Sequence, residues 1–186
     1  GQGMAILAGD ALLTHAFTVL AQARGLTADV RLGLVRELAA AAGPWGMVAG
    51  QALDIQGQDM DPGFIRQVHT CKTGALLRAA VGMGAIVAGA TAETLEHLSA
   101  YAACLGLAYQ IVDDILDVTA SGTALGKNPG SDTRQDKQTF VTIFGLEEAK
   151  AMATAETQAA LDHLAKGRGD FQLLKELAQY IGQRQN

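Results

Sequence analysis

The sequence predicts an all-α protein that forms a single domain over residues 1–186, and three observations support this. Hydrophobic residues make up 49% of the chain but aromatic residues only 5%, which favours closely packed helices over a sheet of β-branched and aromatic residues. Only three prolines interrupt the chain. No segment alternates between apolar and polar residues for long enough to require a strand. The length suits one domain with its own core.

Capping signals and breakers set the predicted helix boundaries. Thr27 can cap a helix, Pro44 can open the next one, and Asp61-Pro62 resembles an N-cap followed by proline at the first helical position. Thr91 can cap the helix that contains the most informative motif. The predicted helices cover residues 4–24, 27–42, 44–56, 61–89, 91–118, 146–165 and 171–181. The long polar connection over residues 120–138 separates the last two helices from the rest.

Charge and cysteine usage exclude several classes of protein. A net charge of -5 without clustered basic residues argues against nucleic-acid binding. Cys71 and Cys104 form no CxxC motif, so a reducing, cytoplasmic location is predicted over a secreted disulfide framework. The most apolar stretch, Gly74–Ala90, contains Arg78 and is interpreted as a buried helix, not a membrane span. The N-terminus shows neither a basic region nor a small-residue cleavage site.

Three aspartates stand in the middle of an otherwise apolar helical segment. On a helix, Asp113 and Asp117 are one turn apart, Asp114 and Asp117 are three residues apart, and Gln110 precedes them by one turn. Isoleucine, valine and leucine flank the three acids and are expected to pack into the core. Clustered anions beside an apolar interior repel one another, so they need a counter-charge. Their hard oxygens suit Mg²⁺, whereas the alternative is a solvated acidic face.

A diphosphate bridged by this metal would also need protein cations, because phosphate and carboxylate repel each other. Lys127 and Lys137 lie in the polar connection beyond the aspartates, and both could equally be ordinary loop lysines. Lys72 lies inside a largely apolar helix, where an ammonium without a partner would be costly. His69 is more typically a surface or satisfied histidine than a base. For Asp54, structural hydrogen bonding and substrate contact both remain open.

These motifs together resemble the trans-isoprenyl diphosphate synthases, in particular the bacterial farnesyl and geranylgeranyl type. The matching segments include GQALD at 50–54, HTCKTGALLRAA at 69–80 and YQIVDDILD at 109–117. Further matches occur at residues 3–14, 125–127 and 130–137. One such motif would be a weak signal, but several in family order are specific.

The resemblance implies a helical bundle around a central cavity and an Mg²⁺-dependent prenyltransferase. By that analogy Asp113, Asp114 and Asp117 hold magnesium, and Thr73 and Gln110 lie beside the reacting carbon. The lysines expected to contact the diphosphate are Lys72, Lys127 and Lys137. The implied reaction condenses isopentenyl diphosphate with an allylic diphosphate, giving farnesyl or geranylgeranyl diphosphate, and the implied assembly is a homodimer.

The chain departs from the family pattern in lacking the first DDxxD motif and the arginine pair that follows it. It corresponds to roughly the last three fifths of such a synthase, with the N-terminal helices of the bundle missing. We therefore predict that the chain as written has no synthase activity. The alternatives are a non-catalytic regulatory subunit homologous to a prenyl synthase, a class I terpene cyclase, and a helical scaffold with an acidic stripe.

Overall fold

The computed structural model describes residues 1–57, 61–123 and 138–184, with side chains described as far as residue 119 in the second range. All regular elements within these ranges are helical. The α-helices are α1 (Gln2–Ala21), α2 (Ala28–Ala42), α3 (Met47–Gln56), α4 (Pro62–His69), α5 (Ala75–Val87), α6 (Ala92–Thr123), α7 (Phe140–Phe144), α8 (Leu146–Lys166) and α9 (Gln172–Gln183). The all-α prediction is confirmed.

The capping signals in the sequence predicted several helix starts correctly. The Thr27 side chain accepts a hydrogen bond from the Val30 amide, and Thr91 accepts one from the Thr94 amide. Pro62 occupies the start of α4 as predicted. The predicted start near Pro44 was wrong, because the chain first makes a tight turn in which the Gly46 amide bonds the Gly43 carbonyl. Helix α3 therefore begins only at Met47.

The long helix predicted over residues 61–89 contains a break in its hydrogen-bond pattern. Thr70–Gly74 forms a single π-helical segment between α4 and α5, hereafter the π segment. Such insertions occur mostly as isolated turns within α-helices, frequently at functional sites. This one includes Cys71, Lys72 and Thr73.

Helix α6 is the central element and contacts two separate cores. Near its start, Leu98, Tyr101 and Leu105 pack against α8 and α9, and the Tyr101 hydroxyl donates to the Leu174 carbonyl at 2.8 Å. Near the aspartates, Ile111 and Val112 are buried with Phe140 and residues of α8. Ile115 and Leu116 pack against this second core, as predicted for the residues that flank the acids. The aspartates therefore lie on a helix that is fixed from both ends.

Helix α1 packs on α2 and contains no buried residue. Several of its large apolar side chains, including Met4, Ile6 and Leu12, are more than half exposed. By length and composition alone, α1 could also cross a membrane. The apolar stretch over residues 74–90 was predicted to form a buried helix. It forms α5, in which Ala79 and Ala85 are buried.

Candidate active site

The three aspartates of α6 have different surroundings. Asp114 is 8% exposed, and its Oδ2 accepts the backbone N–H of Phe140 at 2.8 Å. Asp113 is partly exposed and forms an ion pair with the guanidinium of Arg184, while Asp117 is exposed. Successive residues on a helix point about 100° apart, so Asp113 and Asp114 cannot face the same neighbour. The helix turns one carboxylate into the protein and leaves the others at its surface.

Arg184 already provides a cation at the carboxylate of Asp113. Its guanidinium also lies over the ring of Tyr109, with Cζ 4.7 Å from the ring centroid. Tyr109 and Asp113 are one turn apart on α6, so a single arginine contacts both. This contact could not be predicted from the sequence, because Arg184 lies 71 residues from Asp113. The pairing shows that this position of α6 attracts positive charge.

Lys72 has the partner that its apolar surroundings require. Its ammonium donates to Oδ2 of Asp54 on α3 at 2.6 Å, and both side chains are only partly exposed. The ion pair links the π segment to α3. Of the two roles left open for Asp54, it supports structural hydrogen bonding, with this lysine as the partner. Asp54 thus holds the Lys72 ammonium in place.

Close backbone packing holds the π segment in place. An added Cβ at Gly50 of α3 would lie 2.2 Å from the Lys72 nitrogen and 2.5 Å from its Cα. An added Cβ at Gly106 of α6 would lie 3.1 Å from the Cα of Gly74. Gln110 follows Gly106 by one turn, so it lies on the side of α6 that meets the π segment. Thr73 immediately precedes Gly74, which places both predicted catalytic residues beside this contact.

We expect Gly50→Ala to lower the free energy of unfolding by about 1–3 kcal/mol, because its methyl group would overlap the Lys72 backbone and force the helices apart. Urea denaturation of both proteins measures the difference. Gly33→Ala on α2 is the matched control. No atom lies within 4 Å of its added Cβ, so there the alanine should stabilise by up to about 1 kcal/mol. Equal effects at the two sites would contradict the packing argument.

A cavity of about 130 Å³ is lined by residues from the end of α3, from α4 and by Gln138. Its polar lining residues include Asp54, His69 and Gln138. Asp54 binds Lys72, and Nε2 of His69 lies 3.9 Å from Oδ2 of Asp114. The partner of Lys72 and the neighbour of Asp114 therefore line the same cavity.

No three acidic, histidine or cysteine side chains in the described parts of the chain lie close enough together to hold a metal by themselves. Mg²⁺ needs no such cluster, since it typically takes one or two carboxylates and completes its shell with water and phosphate. Asp113 and Asp117, one turn apart at the surface of α6, fit that donor set. Lys127 and Lys137 lie outside the described residues, so their predicted contacts stay predictions.

Both cysteines are free thiols. Burial raises the pKa of the Cys104 thiol to about 11, and the nearby Glu156 carboxylate adds to the shift. Cys104 is therefore protonated at neutral pH and a poor nucleophile or metal ligand. The cytoplasmic location inferred from the cysteines remains a prediction.

Comparison with known proteins identifies the family. The profile of the family described as "Polyprenyl synthetase" matches residues 1–181. The chain belongs to the polyprenyl synthetase family. It is 41% identical to the farnesyl diphosphate synthase of Escherichia coli (strain K12) and 39% identical to that of Geobacillus stearothermophilus. These alignments cover 99% of the chain but 64% and 63% of the two relatives.

Solved structures of the family show the same fold. A putative farnesyl-diphosphate synthase from Marinomonas sp. MED121 matches 97% of the chain with a TM-score of 0.81 and 35% identity. A geranyltransferase from Helicobacter pylori, complexed with magnesium and isoprenyl diphosphate, matches 95% with a TM-score of 0.77 and 32% identity. The chain covers 62% and 58% of these structures. It therefore spans less than two thirds of both. The TM-scores confirm the helical-bundle prediction for the part that the chain covers.

Proposed function

We propose that this chain provides the allylic diphosphate half of a short-chain trans-prenyl diphosphate synthase, which joins isopentenyl diphosphate to an allylic diphosphate. The product would be farnesyl or geranylgeranyl diphosphate. One observation carries the proposal: the same cavity is lined by Asp54, which binds the Lys72 ammonium, and by His69, which lies 3.9 Å from Asp114 of the aspartate helix. Family relatives named as farnesyl diphosphate synthases support it.

Magnesium is part of the proposal. Asp113 and Asp117 would hold it on α6, and a bound Mg²⁺ neutralises the negative charge that develops on a leaving diphosphate. The Helicobacter pylori relative complexed with magnesium and isoprenyl diphosphate supports this assignment. Asp114, with one oxygen bound to the Phe140 amide, is the least available of the three predicted ligands.

The residues of the chain have separate tasks in the proposed reaction. The allylic carbon–oxygen bond breaks and its electron pair leaves with the diphosphate. Lys72 donates hydrogen bonds to that diphosphate, and Asp54 keeps its ammonium in place. Thr73 and Gln110, beside the contact of α6 with the π segment, would present their side-chain oxygens to the allylic cation. The double bond of isopentenyl diphosphate then attacks this cation. The tertiary cation that results loses a proton from C2 to the released diphosphate, which forms the double bond of the product.

A homodimer is also proposed. Helix α1 exposes Met4, Ile6, Leu7 and Leu12 along a surface that a second copy of the chain would cover. The regulatory-subunit and terpene-cyclase alternatives both predict that the complete protein does not extend an allylic substrate with isopentenyl diphosphate. Assay of the condensation product therefore separates them from the synthase.

We expect Arg184→Gln to tighten magnesium binding about fivefold, because the arginine and the metal compete for the Asp113 carboxylate. The size corresponds to about 1 kcal/mol, typical of a partly exposed ion pair. Titration of Mn²⁺ as a paramagnetic substitute measures the effect. Arg168→Gln, an exposed arginine on the connection to α9, is the control and should change nothing. An unchanged or weaker affinity in Arg184→Gln would argue that the arginine does not compete with metal.

The proposed function is tested by calorimetric titration of geranyl thiolodiphosphate, an allylic analogue that resists ionisation, with magnesium and then with excess EDTA. We expect binding only with magnesium, and loss of binding in Asp113→Asn. Equal binding in EDTA, or none in either condition, would refute the proposal. A parallel assay with isopentenyl diphosphate tests the prediction that the 186-residue chain has no synthase activity.

A further inference from the structure

A second cavity, of about 440 Å³, lies where the end of α9 meets α6 and α8, and is hereafter called the α9 cavity. Its lining includes Val112, Ile115, Lys150, Thr154, Gln183 and Arg184. Close packing fixes its shape, because an added Cβ at Gly182 of α9 would lie 2.7 Å from Oγ1 of Thr157 on α8. The α9 cavity shares no lining residue with the cavity between Asp54 and His69.

The guanidinium of Arg184 has one donor whose acceptor is not supplied by the described parts of the chain. Its Nη2 contacts Asp113 and its Cζ lies over the ring of Tyr109. Its Nε, however, is buried and has no hydrogen-bond partner among the described residues. The Arg184 side chain is 18% exposed, and an N–H removed from water without an acceptor is costly. Such a donor indicates a bound water, ion or ligand beside it.

Lys150 brings a second positive charge to the α9 cavity. Its ammonium binds Glu147 at 2.7 Å, but these side chains are 50% and 84% exposed, and an ion pair of that kind contributes little. The lysine can therefore change partner at small cost. The Thr154 hydroxyl already donates to the Lys150 carbonyl at 2.9 Å, so the two cations supply the available donors. Apolar Val112 and Ile115 lie beside them, which strengthens a charge-assisted hydrogen bond.

We propose that the α9 cavity binds a phosphate-type oxyanion, which accepts the Nε–H of Arg184 and pairs with the Lys150 ammonium. A guanidinium matches the geometry of phosphate oxygens, and an ammonium adds a point charge. The cavity has room for phosphate and several ordered waters, each of which takes about 30 Å³. Glu147 and Asp113 already pair with these cations, so the anion must compete with two carboxylates. This proposal does not depend on the proposed function.

The first test is titration of the 186-residue chain with inorganic phosphate in the presence of EDTA. EDTA removes divalent metal, so the aspartates of α6 cannot recruit phosphate through magnesium. Proton–nitrogen NMR follows the arginine Nε–H resonances, and Arg184→Lys identifies the one from Arg184 by its loss. We expect phosphate to shift that resonance saturably. Sodium chloride at the same ionic strength should leave it in place, because the contact needs an oxygen acceptor and not general screening.

Substitutions at the two cations test whether they bind the phosphate, with affinity measured by phosphorus NMR. Arg184→Gln should weaken phosphate binding at least tenfold, and Lys150→Met about fivefold. Arg184→Lys keeps the charge but lacks the Nε–H and the planar fork, so it should lose at least fivefold. The matched control is Lys166→Met, which removes an exposed charge from the other end of α8 and should change nothing.

Lys72→Met separates the α9 cavity from the proposed allylic diphosphate site, and it should leave phosphate affinity unchanged. A loss in Lys72→Met without a loss in Lys150→Met would move the anion to the π segment, which overturns this proposal and leaves the proposed function intact. Absence of saturable phosphate binding would also overturn it, with water then satisfying Nε, and so would an equal loss in Lys166→Met. Absence of magnesium-dependent binding of geranyl thiolodiphosphate would refute the proposed function and leave the phosphate site standing.

Discussion

Lys72→Met is expected to weaken the magnesium-dependent binding of geranyl thiolodiphosphate by about ten- to a hundredfold. A hydrogen bond to a charged group is worth about 1.5–3 kcal/mol, and about 1.4 kcal/mol corresponds to a factor of ten in affinity. Methionine retains the length and apolar character of the lysine stem, so the packing of the π segment is preserved. Calorimetric titration at fixed magnesium concentration measures the loss.

The ion pair with Asp54 makes a second variant informative. Asp54→Asn leaves the Lys72 ammonium charged but replaces its carboxylate partner at 2.6 Å, so it should weaken binding less than Lys72→Met does. The control is Arg78→Met, which removes one positive charge from the exposed side of α5. An equal loss of affinity in Arg78→Met would mean that general charge, and not a contact from Lys72, governs binding.

The position of the aspartates between buried apolar residues could be predicted from local sequence. The helical spacing of the aspartates and the apolar residues beside them can be read within one or two turns of the chain. The burial of Ile111 and Val112 confirms that these apolar residues pack into the core. Thr27, Thr91 and Pro62 marked helix starts for the same reason, since a cap depends on residues within the first turn. Such signals need no knowledge of the rest of the fold.

The contacts that give each aspartate a separate role could not be predicted in this way. Asp114 meets Phe140 across 26 residues, and Asp113 meets Arg184 across 71. Spacing along one helix cannot show which carboxylate faces the core, because that depends on what packs against the helix. The π segment also escaped prediction, since no residue of Thr70–Gly74 breaks a helical pattern. Gly50 and Gly106 pack closely against this segment, and that constraint is visible only in the three-dimensional structure.

Phe140→Ala is expected to lower the free energy of unfolding by about 3–5 kcal/mol, the usual cost of removing a fully buried phenylalanine. The ring contacts His69 at 5.5 Å and Phe144 at 5.9 Å between centroids, so its removal leaves a cavity between α4, α6 and α7. Urea denaturation measures the change, and an unaltered m-value would show that the unfolded state is the same.

Phe140→Leu distinguishes the contribution of the Phe140 ring from that of its backbone amide. Leucine fills most of the space and keeps the amide that Asp114 accepts, so we expect a loss of only about 1–1.5 kcal/mol and a retained hydrogen bond. A loss below about 1 kcal/mol in Phe140→Ala would mean that α7 collapses into the space, and that the stacked rings contribute little. A large loss in Phe140→Ala with near-native Phe140→Leu would show that volume at this position holds α7 on the aspartate helix. Since Phe140 supplies both the ring that packs on His69 and the amide that donates to Asp114, the second core and the hydrogen bond to the aspartate helix would then depend on the same residue.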